Sequence, residues 1–433
     1  MALLLKGGLC VDPVTGLNAE KDVLIRNGII VEIGEPGSVV LAKGVERDLA
    51  GKVLVPGLMD MHVHLREPGQ EYKEDLASGG AAAARGGFVA VLAMPNTKPV
   101  CDNATQVNYV RKRAREVTRT RVYVAGSLTR GLAGEALSEM GDMVAAGAVA
   151  FTDDGRGVQD GGMMRRAMDY ALPFKTPVLS HCQMEDLAGK GAVNEGAVST
   201  RLGMEGWPAA GEEVQIARDI ALAELTGCAL HIQHITTAAG VALVKAAREK
   251  GLPVTCEVTP HHLFLCEDDL DESYNTSLKM NPPLRTHADA QALQEALIAG
   301  DISCVATDHA PHAPHEKALE FELAPFGTTG LETALALVLT ELVATGRLSG
   351  EALVERLAHA PRRILGLEPA TLAVGGVADL TVIDPTVSWE VRAEDFASKS
   401  RNSAFIGRRL TGRACDVFVG GYASLEDGRV VGM

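Results

Sequence analysis

The sequence is poor in features that would each indicate a different class of protein. Its 41 basic residues are outnumbered by 56 acidic ones, which gives a net charge of −15 and argues against nucleic acid or an anionic membrane as the main partner. No apolar run approaches the ~18 residues that a membrane span needs. Residues 1–6 lack the basic start and full apolar stretch of a signal peptide. We therefore expect a small-molecule partner, which can be anionic because local groups set the potential of a pocket.

Cysteine motifs and aromatic residues are also scarce. Eight cysteines are scattered without a C-x-x-C pair, and several lie in apolar, strand-like runs. We interpret them as buried free thiols of a cytoplasmic protein. Aromatic residues make up only 4% of the chain, whereas 46% is hydrophobic. Ala, Val and Leu dominate that fraction, which suits parallel strands covered by helices.

The two ends of the chain share a texture of short strands and tight turns. Asn27-Gly28, between two apolar runs, is a typical hairpin signal. The simplest interpretation is one small β-sandwich domain formed from both termini, residues 1–55 and 371–433. The apolar runs that predict its strands are 3–5, 23–25, 29–33, 39–41, 378–383, 416–419 and 429–431.

Between these ends, residues 56–370 alternate apolar, β-branched runs with Ala-rich or charged helical segments. Eight such units predict a closed (β/α)8 barrel of the TIM type. The alternative is an open doubly wound sheet, but no G-x-G-x-x-G opens a first helix. The predicted strands are 58–64, 88–94, 122–127, 148–152, 178–181, 230–235, 254–258 and 304–307, and the clearest helices are 104–117, 212–226, 237–250 and 288–299.

Histidine and aspartate residues gather at the ends of five of these strands. His62 and His64 are two positions apart and can face the same side of the first strand. Active sites of such barrels form at this end, and imidazole with carboxylate suits Zn²⁺ or a related cation. Six ligands exceed one closed four-ligand site and favour two metals bridged by a carboxylate. The other candidates are Asp153 or Asp154 on strand four, His181 on strand five, His231 or His234 on strand six and Asp308 on strand eight.

Several longer motifs resemble the amidohydrolase superfamily and, within it, the dihydroorotase family. The likeness covers nearly the whole chain, including the split β-domain. Residues 148–155 contain Asp but no Lys, which counts against relatives that bridge their metals with a carboxylated lysine, such as dihydropyrimidinase and allantoinase. The motifs are V-P-G-L-M-D at 55–60, His62-Val63-His64, L-R-E-P-G at 65–69, M-P-N-T at 94–97, K-M-N-P-P-L-R at 279–285 and A-T-D-H-A-P-H at 306–312.

The resemblance implies a role for each ligand of a two-zinc site. His62, His64 and Asp308 would hold one ion, and His181 and His234 the other. The family pattern places the bridging acid directly before a Gly, which favours Asp154 and leaves Asp153 as a polar neighbour. We interpret His231 as structural, because strand alternation from His234 points it away from the site. His261 and His262, after strand seven, are expected to support the site or the fold.

The resemblance also implies the reaction, the reversible hydrolysis of dihydroorotate to N-carbamoyl-L-aspartate. A metal-bridging hydroxide would attack the ring carbonyl, and Asp308 would pass its proton to the leaving nitrogen. Arg66 lies two residues beyond His64 and could grip the substrate carboxylate bidentately. The remaining substrate contacts implied by the resemblance are His64, Asn96, Asn281, His312, Phe326 and Gly327.

Two alternatives and two partners remain open at this point. Another cyclic amidase, such as a dihydropyrimidinase, hydantoinase or allantoinase, would share the metal pattern. A non-catalytic partner of aspartate transcarbamoylase would share the fold, although here every expected ligand position is filled. The resemblance implies a homodimer, and a catalytic chain could also bind aspartate transcarbamoylase.

Overall fold

A computed structural model describes residues 2–432 of the chain. Within this range no helix is long and apolar enough to cross a membrane. The strands of this range are β1 Ala2–Asp12, β2 Leu17–Arg26, β3 Ile29–Gly34, β4 Val45–Asp48, β5 Val53–Pro56, β6 Leu58–Val63, β7 Phe88–Ala93, β8 Arg121–Gly126, β9 Ala148–Phe151, β10 Val178–Ser180, β11 Val193–Asn194, β12 Gly206–Trp207, β13 Leu230–Ile232, β14 Val254–Val258, β15 Cys304–Val305, β16 Leu380–Glu390, β17 Arg409–Val419, β18 Tyr422–Glu426 and β19 Arg429–Val430.

Helices follow most strands of the central part. The α-helices are α1 Leu76–Arg85, α2 Ala104–Val117, α3 Met140–Ala146, α4 Gly161–Ala171, α5 Glu185–Ala188, α6 Ala197–Leu202, α7 Ala210–Thr226, α8 Ala238–Glu249, α9 Pro260–Phe264, α10 His287–Ala299, α11 Pro314–Lys317, α12 Ala334–Val338, α13 Gly350–Val354 and α14 Ala360–Ile364. Short 3₁₀ segments cover Arg130–Leu132, Leu172–Phe174, Glu267–Asp269, Thr276–Leu278 and Ala393–Asp395, and π-helical segments cover Leu339–Val343 and Glu355–His359.

Eight strands form a parallel sheet that comes close to a closed barrel. Its order is β15-β14-β13-β10-β9-β8-β7-β6, and an isolated parallel bridge between Val63 and His309 links the region after β15 to β6. Every residue of β6 and β7 is buried, as expected for parallel strands covered on both faces. The predicted barrel is confirmed, and all eight predicted strands are present.

The helix α2 shows how local sequence builds the outer layer. The side chain of Asn103 caps the helix by accepting a hydrogen bond from the backbone N–H of Gln106. Val107, Val110 and Ala114 are buried at a spacing that places them on one helical face. The helix therefore begins and ends where the periodicity of residues 104–117 predicts.

The terminal sheet joins both ends of the chain through one antiparallel strand pair. Residues Leu380–Ile383 of β16 pair with Val53–Pro56 of β5, so the sheet order runs β19-β18-β17-β16-β5-β1-β2-β3, with β4 beside β1. Asn27 and Gly28 form the predicted hairpin turn, both with positive φ of 50° and 81°. The domain limits at residues 55 and 371 stay a prediction.

One predicted strand, residues 39–41, is wrong. These residues lie in a loop between β3 and β4. Val39 is nevertheless 5% exposed and packs with Leu4 and Leu24. Its apolar character serves to anchor the loop to the sheet, while β4 forms four residues later on a more polar stretch.

Candidate metal centre and substrate pocket

The six predicted ligands converge at the carboxyl ends of the barrel strands. Asp154, after β9, lies at the centre of the group. Its Oδ1 is 3.3 Å from His62 Nε2, and its Oδ2 is 3.4 Å from His64 Nε2. On the other side, Oδ1 is 3.7 Å from His181 Nδ1 and 3.9 Å from His234 Nε2. One carboxylate therefore faces two pairs of imidazoles.

Asp308 completes the half of the site that contains His62 and His64. Its Oδ1 lies 2.9 Å from His64 Nε2 and 3.5 Å from His62 Nε2. Burial disfavours its charged form, but His62 and His64 hold the pKa of Asp308 below its ordinary value. Burial also disfavours the charged form of Asp154, but the nearby histidines hold the pKa of Asp154 well below its ordinary value.

The donor set fits a divalent metal centre, with two groups of ligand atoms that both include Asp154. His62, His64 and Asp154 offer ligand atoms within 4.8 Å of one another, and so do Asp154, His181 and His234. His62 Nε2 is buried, faces the carboxylates and has no hydrogen-bond partner, which is costly unless another group satisfies it. His181 Nδ1 and His234 Nε2 are 2.8 Å apart, within hydrogen-bond distance, and both face Asp154. Nitrogen and oxygen donors of this kind suit Zn²⁺ or a related divalent ion.

The two neighbouring aspartates that follow β9 have different surroundings. Asp153 accepts hydrogen bonds from the backbone N–H of Leu128 and Thr129, at 2.8 and 3.0 Å, and from the Thr129 hydroxyl. Burial raises the pKa of Asp153 to about 6. Asp153 therefore ties the loop after β8 to the segment after β9, whereas Asp154 faces the histidines.

Sequence reasoning missed two buried carboxylates that support the ligands. Asp60 accepts from the Thr307 hydroxyl at 2.5 Å and from the Thr307 N–H at 3.1 Å, and so joins β6 to the segment that carries Asp308. Glu257 on β14 lies 2.6 Å from His62 Nδ1. The available signal was a single acidic residue inside an apolar strand, which a barrel interior tolerates only with partners.

The other histidines near the rim have local partners. His231 Nε2 lies 3.1 Å from Glu257 Oε2. Glu257 therefore lies between His231 and the predicted ligand His62. His262 Nδ1 contacts the Thr259 hydroxyl at 2.8 Å, and its Nε2 donates to the Pro282 carbonyl at 2.9 Å. His261 is 2% exposed and lies beside His262, with ring centroids 4.4 Å apart and the ring planes tilted by 56°.

A cavity of about 230 Å³ opens onto this group of ligands. Its walls include all seven predicted substrate contacts. Arg66 brings a guanidinium to the cavity, and its Nε donates to the Pro311 carbonyl at 3.2 Å. The lining residues are His64, Arg66, Asn96, Asp154, Gly155, His181, His234, Asn281, Asp308, Ala310, His312, Phe326 and Gly327.

Comparison with known proteins places the chain among hydrolases of this architecture. A family model described as dihydro-orotase-like matches residues 51–239. A dihydroorotase of Pelotomaculum thermopropionicum is 49% identical over 428 residues, which cover 99% of each chain. A dihydroorotase of Pelobacter propionicus is 48% identical over 422 residues, covering 97% of this chain and 99% of that protein.

The chain belongs to the dihydroorotase family. Solved structures extend the likeness to other cyclic amidases. An L-hydantoinase (dihydropyrimidinase) from Arthrobacter aurescens is 27% identical, with a TM-score of 0.89 over 99% of this chain and 97% of that one. A D-hydantoinase structure, 22% identical with a TM-score of 0.87, covers 100% of this chain and 97% of its own and shares the fold.

In this dihydroorotase-family chain, a remote segment holds the two loops that frame the cavity. Asn402 Nδ2 donates to the carbonyls of Ala310 and Gly327, at 3.1 and 3.2 Å. Its Oδ1 accepts from the backbone N–H of His312 at 3.1 Å. Asn402 was not predicted as part of the site, because it lies far along the chain and its side chain contacts only backbone groups.

A lysine supports the same wall from behind. Lys279 Nζ donates to the carbonyls of Glu322 and Ala324, at 2.9 and 2.8 Å, and lies 4.4 Å from the centre of the Phe326 ring. His312 Nε2 donates to the Phe326 carbonyl at 2.8 Å. The loop that offers Phe326 and Gly327 to the cavity is therefore held at several points.

Proposed function

We propose that this chain catalyses the reversible hydrolysis of (S)-dihydroorotate to N-carbamoyl-L-aspartate, a step of de novo pyrimidine synthesis. The observation that carries the proposal is the convergence of four histidines and Asp308 around Asp154, at the base of a cavity that also contains Arg66. The chain is 49% identical to a dihydroorotase over nearly its full length, but only 27% identical to the L-hydantoinase of known structure. This difference supports dihydroorotate, rather than a hydantoin, as the substrate.

We propose two Zn²⁺ ions as the metals of this site. His62, His64 and Asp308 would hold one ion, His181 and His234 the other, and Asp154 would contact both. When bound, such ions lower the pKa of water and so supply hydroxide at neutral pH. The six protein groups keep that centre buried beneath the cavity.

Asp308 would transfer a proton from the attacking water to the leaving ring nitrogen. It stands where the ligands meet the cavity, with a side chain 12% exposed, and an oxygen that contacts His64 at 2.9 Å. As a carboxylate it accepts the proton of the attacking water. It then donates that proton to the ring nitrogen as the amide C–N bond breaks.

The cavity would orient the substrate through its charged and polar walls. Arg66 would bind the substrate carboxylate, assisted by Asn96 and His312. Asn281 has a buried side-chain oxygen without a hydrogen-bond partner and would accept from a ring N–H. Phe326 and Gly327 would offer backbone groups, since a carbonyl that already accepts one hydrogen bond retains a second lone pair.

The direct test is an ultraviolet assay of dihydroorotate hydrolysis with and without a chelator. Hydantoin, dihydrouracil and allantoin are assayed in parallel. We expect turnover of dihydroorotate that is lost on chelation and restored by Zn²⁺. Faster turnover of hydantoin or dihydrouracil would instead favour another cyclic amidase. A purified chain that binds no metal and turns over none of the four would favour a non-catalytic role.

We also propose a cytoplasmic homodimer that can associate with aspartate transcarbamoylase. The eight free cysteines, six of them buried, are consistent with a reducing compartment. Light scattering of the purified chain, alone and mixed with the transcarbamoylase, tests both associations. A monomeric mass in each sample would contradict them.

A further inference from the structure

Glu257 links two histidines inside the barrel. The residue is fully buried on β14. Its Oε1 lies 2.6 Å from His62 Nδ1, and its Oε2 lies 3.1 Å from His231 Nε2. His231 Nδ1 in turn contacts the Thr255 hydroxyl at 2.9 Å, and the backbone N–H of His234 donates to Glu257 at 3.3 Å. A continuous chain of contacts therefore runs from Thr255 to His62.

The contact with Glu257 decides which nitrogen of His62 carries a proton. A carboxylate can only accept hydrogen bonds, so the 2.6 Å contact requires a proton on Nδ1. The Gln233 amide nitrogen also approaches Nδ1, but at 3.2 Å. The shorter contact involves a charged acceptor and is the stronger one.

The other ring nitrogen of His62, Nε2, lies near two carboxylates that can also accept a proton. Nε2 lies 3.3 Å from Asp154 Oδ1 and 3.5 Å from Asp308 Oδ1. Both carboxylates would accept a proton from Nε2, and a protonated Nε2 has no lone pair for a metal. Without an acceptor at Nδ1, the two carboxylates would therefore favour the form of His62 that cannot bind a metal through Nε2.

We propose that Glu257 is a positioning residue that keeps the His62 proton on Nδ1 and so reserves Nε2 for the metal. His231 holds Glu257 in place from the far side. This inference rests on the proposed metal centre and assigns a role that none of the six ligands fills. His231, Glu257 and Cys304 also offer three ligand atoms within 4.8 Å. However, both Glu257 oxygens already accept from imidazoles, so this group serves the neighbouring site.

The test compares Zn²⁺ binding to the metal-free wild type, Glu257→Gln and Asp12→Asn. Asp12 provides a matched control, since it is a buried carboxylate 3.0 Å from His359 Nε2 and contacts none of the six ligands. Affinity is measured by competition with a chromophoric chelator. We expect Glu257→Gln to bind Zn²⁺ ~10–100-fold more weakly, the usual effect of removing a group that orients a ligand. Asp12→Asn should retain wild-type affinity even though its stability falls.

A spectroscopic measurement on the wild type keeps the inference testable if the variant does not fold. In zinc-loaded protein with ¹⁵N-labelled histidine, His62 should show a metal-bound Nε2 and a protonated Nδ1 with a far-downfield proton. Zinc on Nδ1, or equal Zn²⁺ affinity in Glu257→Gln and the wild type, would overturn the inference. Both readouts use zinc alone, so failure of the dihydroorotate assay would not affect them.

Discussion

Asp308 is the residue whose removal should separate binding from chemistry. Asp308→Asn keeps the size of the side chain but cannot accept a proton. We expect kcat to fall by ~10²–10⁴-fold, the usual contribution of a general acid–base. Steady-state assays of dihydroorotate hydrolysis measure this loss, and circular dichroism checks the fold. Near-normal kcat in a folded variant would refute the role of Asp308.

Arg66 should act mainly on substrate binding. A hydrogen bond to a charged group contributes about 1.5–3 kcal/mol, so Arg66→Ala should raise KM by roughly tenfold to over one hundredfold with a smaller change in kcat. Arg165→Ala, which removes a surface arginine 3.6 Å from Asp169, is the control. An unchanged KM in Arg66→Ala would contradict the assignment.

Residues that bear chemistry at strand ends could be predicted, whereas the residues that hold them could not. His62 and His64 are recognisable because their residue type, their spacing and their position at a strand end all indicate a metal site. Glu257 sits in mid-strand, and only the folded barrel brings it to His62. Asn402 acts through backbone groups of distant loops, and such contacts leave no periodic pattern in the sequence.

At the level of strands, the predicted starts of the barrel strands agree with the structure to within one residue, and most of the predicted ends are one to three residues late. β13 ends at Ile232 and β15 at Val305, although Ile235 lies shortly beyond the first, and Ala306 and Thr307 directly follow the second. His234 and Asp308 have positive φ, 32° and 46°, which an extended strand excludes. The chain turns there to bring these side chains into the site, and residue composition does not record that turn.

The segment around Asn402 clamps two loops, which makes it a target for mutation. Asn402→Ala removes three hydrogen bonds to Ala310, Gly327 and His312, each with a net contribution of about 1 kcal/mol. We expect KM for dihydroorotate to rise several-fold or more, because the cavity wall loosens. Steady-state kinetics give KM, and Asn18→Ala on the exposed part of β2 is the control. Equal KM values would show that the clamp does not shape the cavity.

Asp12 connects β1 to the C-terminal half of the chain. It contacts His359 Nε2 at 3.0 Å and accepts from the Leu372 N–H at 2.8 Å. Although burial opposes ionisation, these partners lower the pKa of Asp12. Its stabilising contribution is therefore present above the unfolded-state pKa of ~4 and is lost as pH falls through the lower folded-state pKa.

Asp12→Asn should consequently be less stable at pH 7 by about 1–3 kcal/mol. The gap between variant and wild type should narrow as pH falls below ~4. Urea unfolding at a series of pH values measures the gap. A gap that stays constant or widens on acidification would contradict the predicted direction.

For the whole molecule, metal binding and folding should be coupled. The ligands come from five separate strand ends, so the unfolded chain offers no preformed site. At a free Zn²⁺ concentration of 100 times Kd, the free energy of unfolding should rise by about 2.7 kcal/mol. Denaturant titration of metal-free and zinc-loaded protein measures the difference. Equal stability would indicate that the ions do not bind the folded site.

The overall architecture could be predicted because residues 56–370 show an alternating pattern of strands and helices, and because turn signals occur near both ends of the chain. The strands that join the two ends of the chain could not be predicted. The pairing of β5 with β16 depends on segments separated by the entire barrel, and β18 between two predicted strands was missed because its residues alternate weakly.

That pairing has a consequence for how the protein is made. A ribosome that has just completed β15 has produced every barrel strand, yet β5 still lacks its partner from β16. The nascent chain thus carries an open strand edge until β16 emerges, and such edges template aggregation. Chaperones that shield β-edges during translation should therefore matter more for the yield of this enzyme than for its refolding as a finished chain.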